Sequence, residues 1–100
     1  MIYKLVIHKR AAIEAKNIAI YIRDILCNPQ AAKNFVRAME EEKPNISQRP
    51  NSYPYRIING KVYRFAVIKK YLMFFQVDEN NKTVYIKSIM YGRRNYQKQL

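Results

Sequence analysis

One hundred residues suffice for a single domain with one modest core, and 49% apolar with 26% charged residues is an ordinary globular balance. Nineteen Lys and Arg against seven Asp and Glu give a net charge of +12, which points beyond solubility to an anionic partner: nucleic acid, an acidic protein segment or an anionic membrane surface. A lone cysteine, Cys27, excludes an internal disulfide, no apolar run approaches a membrane span, and MIYKLVIHKR lacks a signal-peptide layout, so a cytoplasmic protein is expected.

Residues 2–7, IYKLVI, are β-branched and aromatic and read as a strand. From Lys9 the period changes. Ala11, Ala15, Ile18, Ile22 and Ile25 recur at three- and four-residue steps, predicting a helix from 9 to 26. Asn28 suits an N-cap and Pro29 the first helical position, so a second helix follows at once. Ala32, Phe35, Val36 and Met39 form its stripe, and its end is expected near 43, before Pro44. Residues 44–56, PNISQRPNSYPYR, hold three of the four prolines and predict an irregular loop. Strands are then expected over 61–69 and 71–77, joined at Lys69-Lys70. DENNK, 78–82, is a turn, and TVYIKSIMY, 83–91, is the last strand. The sum is an α+β domain over 1–100: an N-terminal strand and helical hairpin on one face of an antiparallel sheet with a three-stranded C-terminal meander. The other face is expected to stay open.

The second half of the chain carries most of the charge, ten basic and two acidic residues, and ten of the 13 aromatics. Strand alternation assigns its side chains to faces. Taking Arg64 as excluded from the core puts Val62, Arg64, Ala66 and Ile68 on the open face. Leu72, Phe74 and Gln76 join them from the second meander strand, and Tyr85, Lys87, Ile89 and Tyr91 from the third. Continuing that parity brings Arg93 to the same side. The open face therefore presents Arg64, Lys87, Tyr85, Tyr91 and Arg93, with Arg94 following at its rim, as candidates for binding a nucleic acid or other target. A partly solvated face with ordinary cations is the plain alternative.

His8 and Cys27, each the sole residue of its type, are too few for a structural zinc site, and two glycines make no phosphate loop. No metal or other cofactor is expected. Any enzyme here must work with Arg, Lys and Tyr. Those groups suit metal-independent cleavage of RNA by its own 2′-hydroxyl, with guanidinium groups holding the phosphate and stabilising its added charge.

The segments AAIEAKNIAIYIRDIL, NPQAAKNF and VYRFAVIKKYLMFFQVDENNKTVYIKSIMYGRRNYQKQL resemble the RelE/ParE superfamily of bacterial type II toxins. The resemblance implies a small basic toxin held by a cognate acidic antitoxin, with no membrane role. It implies one of two activities. RelE-like members are ribosome-dependent mRNA endonucleases (mRNA interferases), and ParE-like members inhibit DNA gyrase. Carried over by position, Arg64, Arg93 (or Arg94) and Tyr96 would be the catalytic residues of a nuclease. The pattern departs at Ala66 and Leu72, where RelE-like members carry basic residues, and the hairpin with IAIYI and NPQAAKNF is more ParE-like. A gyrase-directed growth inhibitor is the favoured expectation. The alternatives are the mRNA endonuclease and a non-toxic basic nucleic-acid-binding module.

Overall fold

A computed structural model describes residues 2–93 and 100. Strand β1 (Lys4–Ile7) leads into helix α1 (Lys9–Ile20), which continues through a wider, π-helical turn at Tyr21–Ile25. His8 is the N-cap residue of α1. Helix α2 (Pro29–Gln48) begins where expected: Asn28 Oδ1 accepts the Ala31 N–H at 3.0 Å, with Pro29 at the first helical position. After a 3₁₀ turn at Pro50–Ser52 come β2 (Tyr55–Ile58), β3 (Lys61–Ile68), β4 (Tyr71–Asp78) and β5 (Thr83–Tyr91).

The helix pair lies on one sheet of order β1-β5-β4-β3-β2. The meander is antiparallel, while β1 joins the outer side of β5 in parallel, so the sheet is mixed. Two expectations are corrected. α2 runs through Pro44 to Gln48, although a proline inside a helix removes one backbone bond and costs about 3 kcal/mol. The last turn is held from outside: Ile46 is wholly buried, the Tyr3 N–H donates to the Ser47 carbonyl at 2.8 Å, and the Ser47 hydroxyl donates to the Tyr3 carbonyl. Burial of an isoleucine contributes about 2–3 kcal/mol and each hydrogen bond about 1, enough to offset the proline. A strand that was not expected, β2, begins in the last two residues of the supposed loop and closes a hairpin with β3 through Asn59 (φ 53°) and Gly60 (φ 78°). That conformation is the one an Asn-Gly pair adopts most readily.

The core lies between helices and sheet. Ala11, Ile22, Ala32, Phe35 and Ile46 meet Ala66, Ile68, Met73, Phe75, Val84, Ile86 and Ile89. Ala66 and Ile68 are thus core residues, so the predicted parity of β3 is inverted. Arg64 shares their face without entering the core, because its guanidinium reaches back to the chain entering β2. On β5 the pairs Phe75–Ile86 and Phe74–Ser88 leave Lys87 as an extra residue. This bulge reverses the parity beyond it. Ile89 turns into the core, while Met90 joins the opposite face.

That opposite face is not open in its centre. Ile58, Tyr63, Leu72, Phe74 and Met90 form a second apolar cluster, with Phe65 and Leu100 packed against it, and Phe74 has no exposed surface. Gly92 closes β5 against the Lys69-Lys70 turn, its N–H donating to the Lys70 carbonyl at 3.0 Å. A Cβ there would sit 3.3 Å from that same oxygen, so close approach rather than unusual φ favours glycine.

Candidate functional site

Three of the sequence-predicted residues come together. Arg64 from β3 and Tyr85 and Lys87 from β5 line a shallow hollow of about 690 Å³ with Gln76 of β4. The Lys87 ammonium lies 5.7 Å from the centroid of the Tyr85 ring, whose other neighbour is the His8 ring at 5.8 Å. The hollow is not a cationic trap. Asn51, Asp78 and Glu79 also line it, so two cations face two carboxylates. Hydrogen bonds from the Asn81 side chain and backbone hold Asp78 below the usual carboxylate range. Asn51, Lys82 and Tyr3 converge on Glu79 and lower it to about 2. Both are charged at neutral pH.

Arg64 is already engaged. Its Nη1 donates to the Tyr53 carbonyl at 2.7 Å, and its guanidinium stands 5.5 Å from the Tyr55 ring centroid. Two tyrosines outside the hollow, Tyr53 and Tyr71, are shifted away from the range a proton carrier needs. Burial, then its hydrogen bond to Glu42, pushes Tyr53 far above the ordinary phenol range. Tyr71 is also pushed up, by burial first and then by Tyr21 and Tyr91. General base work needs a shift in the other direction.

The remaining candidates lie elsewhere. Tyr91 packs edge-on against Tyr71 at 5.8 Å and borders a recess of about 300 Å³ with Tyr21 and Asn17. Arg93 is exposed just beyond β5. Arg94 and Tyr96 lie outside the described residues. Ala66 is 2% exposed and Leu72 9%, so both positions are filled by packing.

A larger feature escaped the sequence reading. Between α1 and α2 runs a groove of about 1,080 Å³. Ala12, Ala15, Ala19 and Ile20 form one wall, Val36 and Met39 the other, and Met73, Ile86 and Ile89 the floor. Lys16, Arg23, Lys33, Arg37 and Lys43 stand around it, with Glu40 its sole acid. Ile20 and Val36 remain 37% and 40% exposed. The signal was present in the sequence: α1 carries more apolar positions than a single core stripe uses, and Lys33 and Arg37 recur at one turn beside Val36.

Among the described residues no group of His, Cys, Asp and Glu stands together as a metal site, and no helix is long and apolar enough to cross a membrane.

Solved structures share this architecture. The chromosomal ParDE toxin–antitoxin system from P. aeruginosa matches with a TM-score of 0.72 at 20% identity, over 90% of this chain and 96% of that one. The toxin–antitoxin complex RelBE2 from Mycobacterium tuberculosis matches at 0.61 and 14% identity, over 91% and 99%. The archaeal RelE–RelB complex from Pyrococcus horikoshii OT3 matches at 0.55 and 16%, over 94% and 100%. At these identities the likeness is one of fold, that of the RelE/ParE toxins. No curated protein sequence matches significantly. The family model for the ParE toxin of the type II toxin–antitoxin system parDE matches residues 5–96, and the chain belongs to that family.

Proposed function

We propose that the protein is a growth-inhibiting toxin directed at DNA gyrase and kept inactive by an acidic antitoxin segment. The observation that carries this reading is the filling of the sheet face opposite the helices. Leu72 and Phe74 lie in a buried apolar cluster there, and Ala66 is core, where an RNA-cleaving member would present basic residues. Arg64 spends its guanidinium on the Tyr53 carbonyl. Family membership and the ParE-like hairpin support gyrase as the target. The solved relatives include toxin–antitoxin complexes, and the cation-rimmed groove suits an acidic amphipathic segment of such a partner. Its net charge favours rapid capture of that segment.

The test is induced expression in bacteria with mapping of mRNA 5′ ends, beside a supercoiling assay with purified gyrase. Intact mRNA with loss of supercoiling is expected. Cleavage of translated mRNA with supercoiling unchanged would establish the second reading, a ribosome-dependent endonuclease. Shared occupancy of one hollow by Arg64, Tyr85 and Lys87 favours that alternative.

A further inference from the structure

The groove and the hollow are both lined by Lys and Arg, as a net charge of +12 leads one to expect. The recess of about 300 Å³ beside Tyr91 is different: no described Lys, Arg or His lines it, and Glu14 is its sole charged residue. Its walls follow from two periodicities. Glu14, Asn17, Ile18 and Tyr21 stand at i, i+3, i+4 and i+7, one face of α1 and of the π-helical turn that prolongs it. Tyr71 and Tyr91 are register partners across β4 and β5, so their side chains leave the same face of the sheet. The two rings meet at 70° with centroids 5.8 Å apart, and Phe35 of α2 backs Tyr71 at 5.3 Å. Tyr21 supplies a third ring. Burial first, and then Tyr21 and Tyr91, push the Tyr71 phenol up, so the three phenols converge. Tyr21 also opens the π-helical turn, and such insertions recur at functional sites.

Aromatic rings around an opening that holds a carboxylate and no cation attract positive charge, because the face of a ring is the negative part of its quadrupole. The Glu14 oxygens are already engaged: Oε1 accepts the Ser88 hydroxyl and the Ile89 N–H, and Oε2 faces Arg10 Nε at 3.4 Å. Glu14 therefore acts through its charge and not as an acceptor for a ligand. Asn17 is exposed on α1, and its side chain has no hydrogen-bond partner among the described residues. Its amide oxygen is the acceptor left over. A quaternary ammonium has no N–H to give it, whereas a guanidinium has five. We infer that the recess is a binding site for an arginine side chain of a protein partner, its guanidinium held among Tyr21, Tyr71 and Tyr91 and donating to Asn17 Oδ1. Repulsion from the chain's net charge is screened beyond roughly 8 Å at physiological salt, so the site works at contact, as an anchor, and does not steer the approach. The site stands apart from the gyrase and antitoxin readings and does not depend on either.

The test is titration of the full chain with N-acetylarginine methylamide and with its neutral isostere N-acetylcitrulline methylamide, followed through the tyrosine ring NMR signals. The arginine derivative is expected to bind at least about five-fold more tightly, with shifts centred on Tyr21, Tyr71 and Tyr91. Tyr21 and Tyr91 are exposed, so Tyr21→Leu and Tyr91→Leu should keep the fold, as thermal melts will show. Each is expected to weaken binding roughly two- to five-fold, while Tyr21→Phe and Tyr91→Phe, which keep the ring, leave it unchanged. Asn17→Ala should weaken the arginine derivative and leave tetramethylammonium unaffected. Equal binding of the arginine and citrulline derivatives, or arginine binding untouched by both leucine variants, overturns the cation site. Tighter binding of tetramethylammonium than of the arginine derivative overturns the assignment to arginine and makes the ligand a methylated ammonium.

Discussion

Glu14 of α1 and Ser88 of β5, 74 positions apart, are joined by a 2.7 Å hydrogen bond from the Ser88 hydroxyl to the Glu14 carboxylate. The same oxygen accepts the Ile89 N–H at 3.2 Å. The bulge at Lys87 interrupts the ladder at this point, and the helix supplies the acceptor there. Glu14→Ala is expected to cost about 1–3 kcal/mol, because it strands a hydroxyl and an N–H away from water. Glu14→Gln, which keeps an acceptor, should cost less. Urea unfolding followed by circular dichroism measures both; equal stability of Glu14→Ala and wild type would remove the carboxylate from the account of the bulge.

Glu79 ties three segments together, accepting from Tyr3, Asn51 and Lys82. Its folded pKa is lowered to about 2 from 4.5, the Asn51 hydrogen bond being the largest cause. A lowered carboxylate stabilises the fold fully above its unfolded pKa and loses that contribution as pH falls through the folded one. The gap in melting temperature between wild type and Glu79→Gln should therefore be steady above about pH 5 and close between there and pH 2. Its exposure to solvent keeps the effect small. A gap independent of pH would sink the prediction.

Arg64→Ala removes the donor to the Tyr53 carbonyl and the cation over Tyr55. A stability loss of about 1–2 kcal/mol is expected, with growth arrest retained at a temperature where the variant is folded. Thermal melts and colony counts after induction separate the two effects. Complete loss of toxicity in a folded Arg64→Ala chain would favour a phosphate-binding role.

Leu72→Arg places the cation that the resemblance to RelE-like nucleases implies at this position into the cluster around Phe74. The charge has no room beside fully buried Phe74 and Met90, so about 3 kcal/mol or more of destabilisation is expected, with no gain of mRNA cleavage. Denaturant titration and 5′-end mapping check the two halves independently.

The helical hairpin and the meander were legible because their signals are local. A 3.6-residue period, Asn28-Pro29 and the DENNK turn each act within a few residues. β2 was equally marked by Asn59-Gly60, but the prolines at 44, 50 and 54 drew the reading toward loop. The faces were harder. Arg64 suggested an exposed side because a guanidinium avoids apolar burial; its length lets it leave the sheet at the β2 end, beside Ala66 that stays in the core. The Lys87 bulge carries no sequence mark of its own. It depends on Glu14, and only the fold brings Glu14 there. The groove left a trace in the surplus apolar positions of α1, but its width depends on the separation of the two helices, which only the fold sets.

The place of β5 between β1 and β4 also sets an order of events during synthesis. β1 and both helices leave the ribosome first, yet β1 has no strand to pair with until residues 83–91 appear. The floor of the groove waits on Ile86 and Ile89 of that same strand. Such distant pairing delays assembly. A nascent chain stalled before Thr83 can therefore offer neither a finished sheet nor a finished groove between the helices and their floor.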